Sequence, residues 1–237
     1  MIAVFVNMAT VLAGSLLGIL LRKRLKQSLQ DALMKALGLC TAMIGISSAI
    51  ATADVLCIIV CMVIGTAVGE WLRIDDGIER AGEWIKGKVL KNGGSDRRFT
   101  EGFVSACILF CIGSMTVVGS LEAGINHNYS IIYAKSTLDF VSSMAFGAAM
   151  GFGVTCSALF ILLFQGGLTM LSGLLAPVLS TATVTEMSAV GGVILLGMAI
   201  NVLGLSSERI KVANMLPAIF LPIAYYPLTE LLSGLFR

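Results

Sequence analysis

Long apolar runs alternate with short polar connections along almost the whole chain. Eight of these runs approach the roughly 20 residues that a helix needs to cross a bilayer, and they are continuous instead of alternating as barrel strands do. The pattern therefore predicts an all-α, polytopic transmembrane helical bundle. The eight predicted spans lie at about residues 2–21, 33–51, 55–72, 101–120, 136–153, 155–175, 187–204 and 213–233.

The composition leaves no room for a large soluble part. Only 13% of the 237 residues are charged and 57% are hydrophobic, whereas a soluble domain carries about 25% charged residues. We therefore expect residues 1–237 to form a single integral membrane domain. Its expected partner is the lipid bilayer, and the net charge of +2 gives no indication of nucleic-acid binding.

The basic residues indicate an orientation. Of the 16 Lys and Arg residues, 14 lie within residues 22–35, 73–98 and 205–214, which hold the first, third and seventh connections. Because cytoplasmic connections collect Lys and Arg, the N-terminus is predicted outside. The first basic cluster follows the first apolar run, so that run is expected to be a span and not a cleavable signal peptide.

One connection contains a further predicted element. Apolar residues recur at helical spacing between Ile74 and Val89, with charged residues at other positions. This predicts a cytoplasmic amphipathic helix at about 74–91, lying on the inner membrane surface. A regulatory docking site is the alternative interpretation of the same segment.

Two segments resemble each other weakly. Residues 38–47 are similar to 192–201, and at the same offset residues 52–54 fall on 206–208. The matching helices are five spans apart and so cross in opposite directions. The pattern indicates an inverted-topology repeat, spans one to three against six to eight, as in many secondary transporters. Chance similarity between two glycine-rich helices is the alternative.

The fifth predicted span holds a charged pair. Lys135 and Asp139 are four residues apart, so they share a helix face and could pair. A charge at the depth of Asp139 costs roughly 2–3 kcal/mol on insertion scales and normally faces protein or water. Either Asp139 is thus a proton or cation site and Lys135 an anion contact or charge partner, or the two residues form a structural ion pair near the interface.

Other polar residues complete the hypothetical ligand-binding or ion-binding set. Asn7, Gln165 and Asn201 lie deep in spans one, six and seven and must find hydrogen-bond partners, either in neighbouring helices or in a solute. The sequence around Gly113 indicates a fourth span that is either broken or closely packed against a neighbour, and at a break unwound backbone and hydroxyls could contact an ion. The hydroxyl residues in the set are Ser114, Thr116 and Ser136.

Several chemistries find no support in the sequence. His127 is the single histidine, and the six cysteines lie within apolar runs. No phosphate loop, zinc motif or nucleophile elbow occurs. No catalytic residue, metal or cofactor is therefore expected, and the chain is not predicted to be an enzyme. Cys57 with Cys61, and Cys107 with Cys111, share helix faces, so a thiolate metal site is the alternative to packing.

Six segments carry a resemblance to a known family. The chain resembles the YqgA-type group of uncharacterised bacterial inner-membrane proteins, a domain-of-unknown-function family. The resemblance covers essentially the whole chain, and it implies a multi-span protein of the bacterial inner membrane without a substrate. The segments are Asn7 with Gly14-Ser15-Leu16-Leu17-Gly18, Phe110-Cys111-Ile112-Gly113-Ser114-Met115, Gly119-Ser120-Leu121-Glu122-Ala123-Gly124, Lys135-Ser136-Thr137-Leu138-Asp139, Gly151-Phe152-Gly153-Val154 and Gln165-Gly166-Gly167-Leu168-Thr169.

These features favour a secondary transporter or channel for a small ion or polar solute, with its site where spans four, five and six meet. The alternative is a non-transporting membrane scaffold or sensor that acts through the 74–91 helix. Glycine pairs four residues apart, such as Gly14 and Gly18, are typical of close helix packing and would permit a homodimer.

Overall fold

The computed structural model describes residues 1–22, 27–78, 80, 97–111 and 114–235, and the regular structure of that part is entirely helical. Residues 74–78 and 80 of the predicted surface helix are helical as well, while 79 and 81–91 lie outside the described residues. The elements are α1 (Ile2–Arg22), α2 (Gln27–Ala49), α3 (Val55–Leu72), α4 (Arg97–Cys111), α5 (Ser114–Ile125), α6 (Ser130–Met150), α7 (Phe152–Met170), α8 (Ser172–Leu175), α9 (Thr181–Leu203), the 3-10 helix η1 (Val212–Phe220) and α10 (Pro222–Leu235).

Within the described residues, four helices are long and apolar enough to cross a membrane: α1, α3, α7 and α9. Two bent pairs raise the number to six if each pair is one span, namely α4 with α5 and η1 with α10. The predicted eight spans are thus only partly supported. The apolar part of α2, Met34–Ala49, is shorter than a span, and α6 contains the charged residues Lys135 and Asp139.

The first bend lies in the fourth span, where a break is one of the two predicted possibilities, and the second bend lies next to a proline. Helix α4 ends at Cys111 and α5 begins at Ser114, and the two axes differ by 55°. The axes of η1 and α10 differ by 41°, and α10 begins at Pro222. Proline lacks a backbone N–H and suits the first turn of a helix, so a new helix starts there.

A single glycine joins α6 to α7. Gly151 adopts φ 81° and ψ −145°, a conformation open to residues without a Cβ atom. Its N–H donates to the carbonyl of Gly147 at 3.0 Å and closes α6. The connection is as short as the sequence predicts, and α6 and α7 form a tight hairpin.

Helices α1 and α6 pack closely and run in the same direction. A Cβ atom on Gly14 would lie 2.5 Å from the carbonyl oxygen of Phe140, and one on Gly18 would lie 2.1 Å from that of Met144. The residue numbers rise together along the two helices, so they are parallel. Glycine at these positions lets the two backbones approach each other.

Two further pairs run antiparallel. Gly45 of α2 lies against Gly192 of α9, while Gly38 lies against Leu203. In the same way Gly65 of α3 faces Ala218 of η1. Each of the three N-terminal helices is therefore packed against a helix from the second half of the chain.

Much of the outer surface is apolar. Large hydrophobic side chains that point away from the bundle include Leu20, Ile50 and Trp71, each more than half exposed. A continuous apolar exterior is unfavourable in water and suits a lipid environment. The polar residues of the candidate site lie inside the bundle.

Candidate functional site

Four polar side chains from three helices meet in the interior of the bundle. Asn7 comes from α1, Lys135 and Asp139 come from α6, and Gln165 comes from α7. Asn7 and Gln165 have no exposed surface, and Lys135 and Asp139 are 5% and 6% exposed. We call these four residues the polar cluster.

A single carboxylate oxygen organises the polar cluster. Lys135 Nζ forms an ion pair and a hydrogen bond with Asp139 Oδ2, and Asn7 Nδ2 donates to the same oxygen at 3.1 Å. Asn7 Nδ2 also donates to Gln165 Oε1 at 3.0 Å. The ion pair within α6 is thus tied to both α1 and α7 by one amide group.

The hydrogen bonding of the cluster is incomplete. Asn7 Oδ1 and Gln165 Nε2 are buried and have no hydrogen-bond partner among the described residues. Asp139 Oδ1 likewise accepts no hydrogen bond there. An unsatisfied buried polar atom costs about 1–3 kcal/mol. A further group that bonds to Asn7 Oδ1 and Gln165 Nε2 would remove this cost. The second carboxylate oxygen of Asp139 is available to accept a hydrogen bond as well.

The ammonium of Lys135 has an aromatic neighbour. Its Nζ lies 5.8 Å from the ring centroid of Phe110, which is within the range of a cation–π attraction. Phe110 lies near the end of α4, one residue before the break between α4 and α5. The broken span thus borders the ion pair.

The ion pair also faces a cavity of about 510 Å³ that is open to the outside of the bundle, since its lining residue Leu138 is more than half exposed. Lys135 and Asp139 form part of its wall, and the opposite wall is made of α2 and α9. Volumes of this order are typical of small-molecule sites. The remaining lining residues are Ile44, Ser47, Ser48, Ala51, Leu109, Met115, Leu138, Thr185 and Ser188.

Apolar side chains pack on both sides of the polar cluster along α1. Toward the N-terminus, Ala3 and Val4 form a buried cluster with Ile132. Toward the C-terminus, Val11 packs with a larger apolar group that includes Phe146. The polar cluster is therefore a single polar layer between two apolar layers, which keeps water from the ion pair along this path.

The other predicted site residues lie elsewhere or bond locally. Thr116 Oγ1 donates to the carbonyl of Phe110 at 2.9 Å, across the break of the fourth span. Ser136 is buried beside Lys135, but its hydroxyl donates to Ile132 within the same helix. Asn201 bonds both backbone groups of Ile210. Ser114 begins α5, and its side chain lies outside the described part.

Sequence reasoning missed Glu186. It is 1% exposed and joins α9 to the connection between α2 and α3. Its carboxylate accepts from Thr52 Oγ1 at 2.5 Å and from the backbone N–H groups of Ala53 and Asp54 at 2.8 and 3.2 Å. The signal was a carboxylate next to a long apolar run, but the predicted seventh span began one residue too late to include it.

A second polar junction lies at the other end of α3. Arg209 pairs with both carboxylate oxygens of Asp75 at 3.2 Å. Asn214 accepts from the Asp75 N–H at 2.7 Å and donates to Glu70 Oε2 at 2.5 Å. The start of the predicted surface helix is thus fixed to η1 and to the segment between α9 and η1.

The described residues contain no group of three His, Cys, Asp or Glu residues placed to hold a metal ion. All six cysteines are free thiols, and Cys57 Sγ lies 3.8 Å from Cys61 Sγ. Neither cysteine pair therefore gains the additional ligands that a thiolate site needs.

Comparison with known proteins agrees with a membrane protein. The chain is 29% identical over 133 residues to "Uncharacterized membrane protein YdfK" of Bacillus subtilis (strain 168), covering 56% of this chain and 57% of that protein. It is 32% identical over 123 residues to "Uncharacterized protein YqgA" of Escherichia coli (strain K12), covering 52% of each. The matches thus span about half the length of these relatives. No solved structure matches the chain.

A match to a family model covers far more of the chain than the matches to these two relatives. A family model described as "Protein of unknown function (DUF554)" matches residues 2–227. The match begins in α1 and ends in α10, so it includes every residue of the polar cluster. The chain belongs to the DUF554 family.

Proposed function

We propose that the protein is a secondary transporter or channel for a small ion or polar solute and that the polar cluster is its site. The observation that carries the proposal is a buried Lys135–Asp139 pair that borders a cavity and has incompletely bonded neighbours. An intramembrane ionisable group of this kind commonly marks an ion or substrate path. A purely structural pair would gain from complete bonding.

The directions of the helices support eight crossings. Helix α6 runs parallel to α1 along most of its length, so it reaches through the same thickness as a helix that is long enough to span. Its 21 residues correspond to about 30 Å of helix. With α2 antiparallel to α9, the proposed arrangement is a bundle of eight spans in the bacterial inner membrane, with the N-terminus outside.

Reciprocal contacts support the inverted repeat. When residues 38–47 are aligned with 192–201, Gly38 corresponds to Gly192, and the segment 48–49 corresponds to 202–203. In the structure Gly38 lies against Val202 and Leu203, and Gly192 lies against Ser48 and Ala49. The same contact thus occurs twice with the two halves exchanged, as expected for an inverted-topology transporter.

The proposal is tested by comparing solute binding and solute flux in the wild type and in variants of Asp139 and Lys135. Purified wild-type protein, Asp139→Asn and Lys135→Ala are compared in a thermal-shift screen of inorganic ions, amino acids and small carboxylates, and each solute that stabilises the wild type is then assayed in proteoliposomes. We expect Asp139→Asn to lose proton or cation coupling while it stays folded. A matched control is Thr137→Ala, an exposed hydroxyl residue on the same helix.

Wild-type flux and coupling in Asp139→Asn would refute the mechanism. Equal stability of all the proteins, without a shift for any solute, would contradict a solute site and favour a scaffold or sensor role. Loss of flux in Thr137→Ala alone would show that the solute crosses the protein outside the polar cluster.

A further inference from the structure

The charges around the cavity restrict the kind of solute that the cavity can accept. Lys135 and Asp139 together carry no net charge, and their other close partners, Asn7 and Gln165, are neutral amides. Cys111 of α4 is the other titratable group of the described residues in electrostatic contact with the pair. Helices α2 and α9 add hydroxyl groups to the cavity wall and no charge.

A metal cation does not suit this arrangement. It would have to compete with Lys135 for the carboxylate of Asp139, and the site would then hold one uncompensated positive charge. An anion without a proton would leave one uncompensated negative charge. Because a buried net charge is costly, a singly charged ion that binds beside a protonated Lys135 leaves the site neutral when it is an anion and Asp139 carries a proton.

The amides of the polar cluster can accommodate that proton. If the Asn7 amide turns by half a rotation, its Oδ1 takes the place of Nδ2 next to Asp139 and Gln165. A protonated Asp139 then donates to that oxygen, and the Gln165 amide, turned in the same way, donates to it as well. The two atoms that now lack partners, Asn7 Oδ1 and Gln165 Nε2, are the ones that the protonated state uses.

The cavity wall indicates the rest of the solute. Ile44, Leu109 and Leu138 form an apolar surface, and Ser47 and Ser48 add hydroxyl groups. An inorganic anion would leave the apolar surface unused. A short apolar body with one carboxylate would bury that surface and place the carboxylate within reach of Lys135.

We propose that the cavity binds a short-chain monocarboxylate together with one proton. The proton comes from water and stays on the carboxyl group of Asp139, while Lys135 exchanges Asp139 for the carboxylate of the solute. No covalent bond forms or breaks. This inference rests on the proposed function and names its solute class and coupling ion.

The test is calorimetric titration of the purified full-length protein with pyruvate, in two buffers of different ionisation enthalpy and over a range of pH. We expect an uptake of one proton per bound pyruvate. Since one proton is linked to binding, the affinity should fall by up to about tenfold per pH unit as pH rises. Lactamide, which has a similar shape and no carboxylate, should not bind.

The two charged residues should respond differently. Lys135→Met removes the group that contacts the carboxylate, so pyruvate affinity should fall by about tenfold or more. Asp139→Asn mimics the protonated carboxyl group, so it should keep pyruvate binding without proton uptake and without pH dependence. Thr137→Ala should match the wild type, and Lys135→Arg, which retains the cation, provides a second variant if Lys135→Met does not fold.

The outcomes separate this inference from the proposed function. Binding of sodium or potassium ions, lost in Asp139→Asn, with no pyruvate binding would overturn the monocarboxylate and leave the transporter proposal intact. Pyruvate binding that is unchanged in both Lys135→Met and Asp139→Asn would overturn the site. Absence of binding and flux for every solute would overturn both proposals.

Discussion

At the scale of single residues, Asp139 connects the polar groups of three helices in the interior of the bundle. Its Oδ2 atom accepts from Lys135 and Asn7, and the Asn7 amide continues to Gln165. Three helices are therefore connected through one carboxylate oxygen that is almost inaccessible to solvent. A change in the charge of this group alters all of these contacts together.

Removing Lys135 alone should lower the free energy of unfolding far more than replacing Lys135 and Asp139 together with apolar residues. Lys135→Met leaves the carboxylate of Asp139 buried without its cation, which typically destabilises a protein by about 3–5 kcal/mol. The double variant Lys135→Met with Asp139→Leu removes both charges and should recover most of this loss. The measurement is the free energy of unfolding in detergent for the wild type, the single variant and the double variant.

Equal destabilisation of the single and double variants would contradict the expected coupling between the two charges. Thr137→Ala again provides the reference, because its exposed side chain bonds to its own helix at 3.3 Å. Its stability should remain close to that of the wild type.

The four residues of the polar cluster could be named from the sequence because charge and amide groups in apolar runs are conspicuous, but their meeting across α1, α6 and α7 was not predicted. Lys135 and Asp139 follow from their spacing, and Asn7 and Gln165 follow from their depth. The hydroxyl residues were harder to place, since a helical Ser or Thr can bond to a carbonyl of its own helix, as Ser136 does. Glu186 was missed because a difference of a few residues in a helix boundary decides whether a carboxylate lies in a loop or in the core.

At the scale of helices, the close pairs depend on glycine. A Cβ atom on Gly18 would lie 2.1 Å from the carbonyl oxygen of Met144, too close for any atom, so α1 and α6 would have to separate. Gly167 differs, because a Cβ atom there would meet nothing within 4 Å. The two positions therefore form a matched pair for substitution.

We expect Gly18→Ala to destabilise the protein by about 1–3 kcal/mol, the usual cost of overpacking. Gly167→Ala should be neutral or stabilise by about 0.5–1 kcal/mol, since alanine loses less freedom than glycine in a helix. Thermal unfolding of the two variants in the same detergent measures both effects. The opposite order of stabilities would show that α1 and α6 do not pack through this surface.

The helices themselves were largely predictable, and their partners were not. The predicted span 55–72 agrees with α3 at both ends, and the break in the fourth span is one of the two possibilities that the local sequence indicates. The parallel contact of α1 with α6 joins segments more than 100 residues apart. Periodicity describes the faces of a helix but does not specify the helix that each face will meet.

At the scale of the whole molecule, the proposed orientation can be measured by cysteine labelling in intact bacterial cells. Asn126→Cys lies in a connection predicted outside, and Ser207→Cys lies in one predicted inside. Both positions are exposed. A membrane-impermeant maleimide should label the Asn126 variant directly and the Ser207 variant only after the membrane is permeabilised.

Labelling of the unmodified protein in parallel measures the background from the six native cysteines. Labelling of the Ser207 variant in intact cells, with protection of the Asn126 variant, would reverse the orientation. Labelling of both variants from outside would contradict an odd number of crossings between the two positions.

The parallel pairing of α1 with α6 also has a consequence for biosynthesis. In the proposed eight-span arrangement α6 would bring Lys135 and Asp139 into the bilayer, although the described helices that are apolar enough to span do not include it. Its polar partner Asn7 lies 132 residues before Asp139 and is therefore synthesised before it. In that arrangement α1 has to remain close to the insertion machinery until α6 has been synthesised. Burial of the charged pair then depends on the order in which the two helices are made.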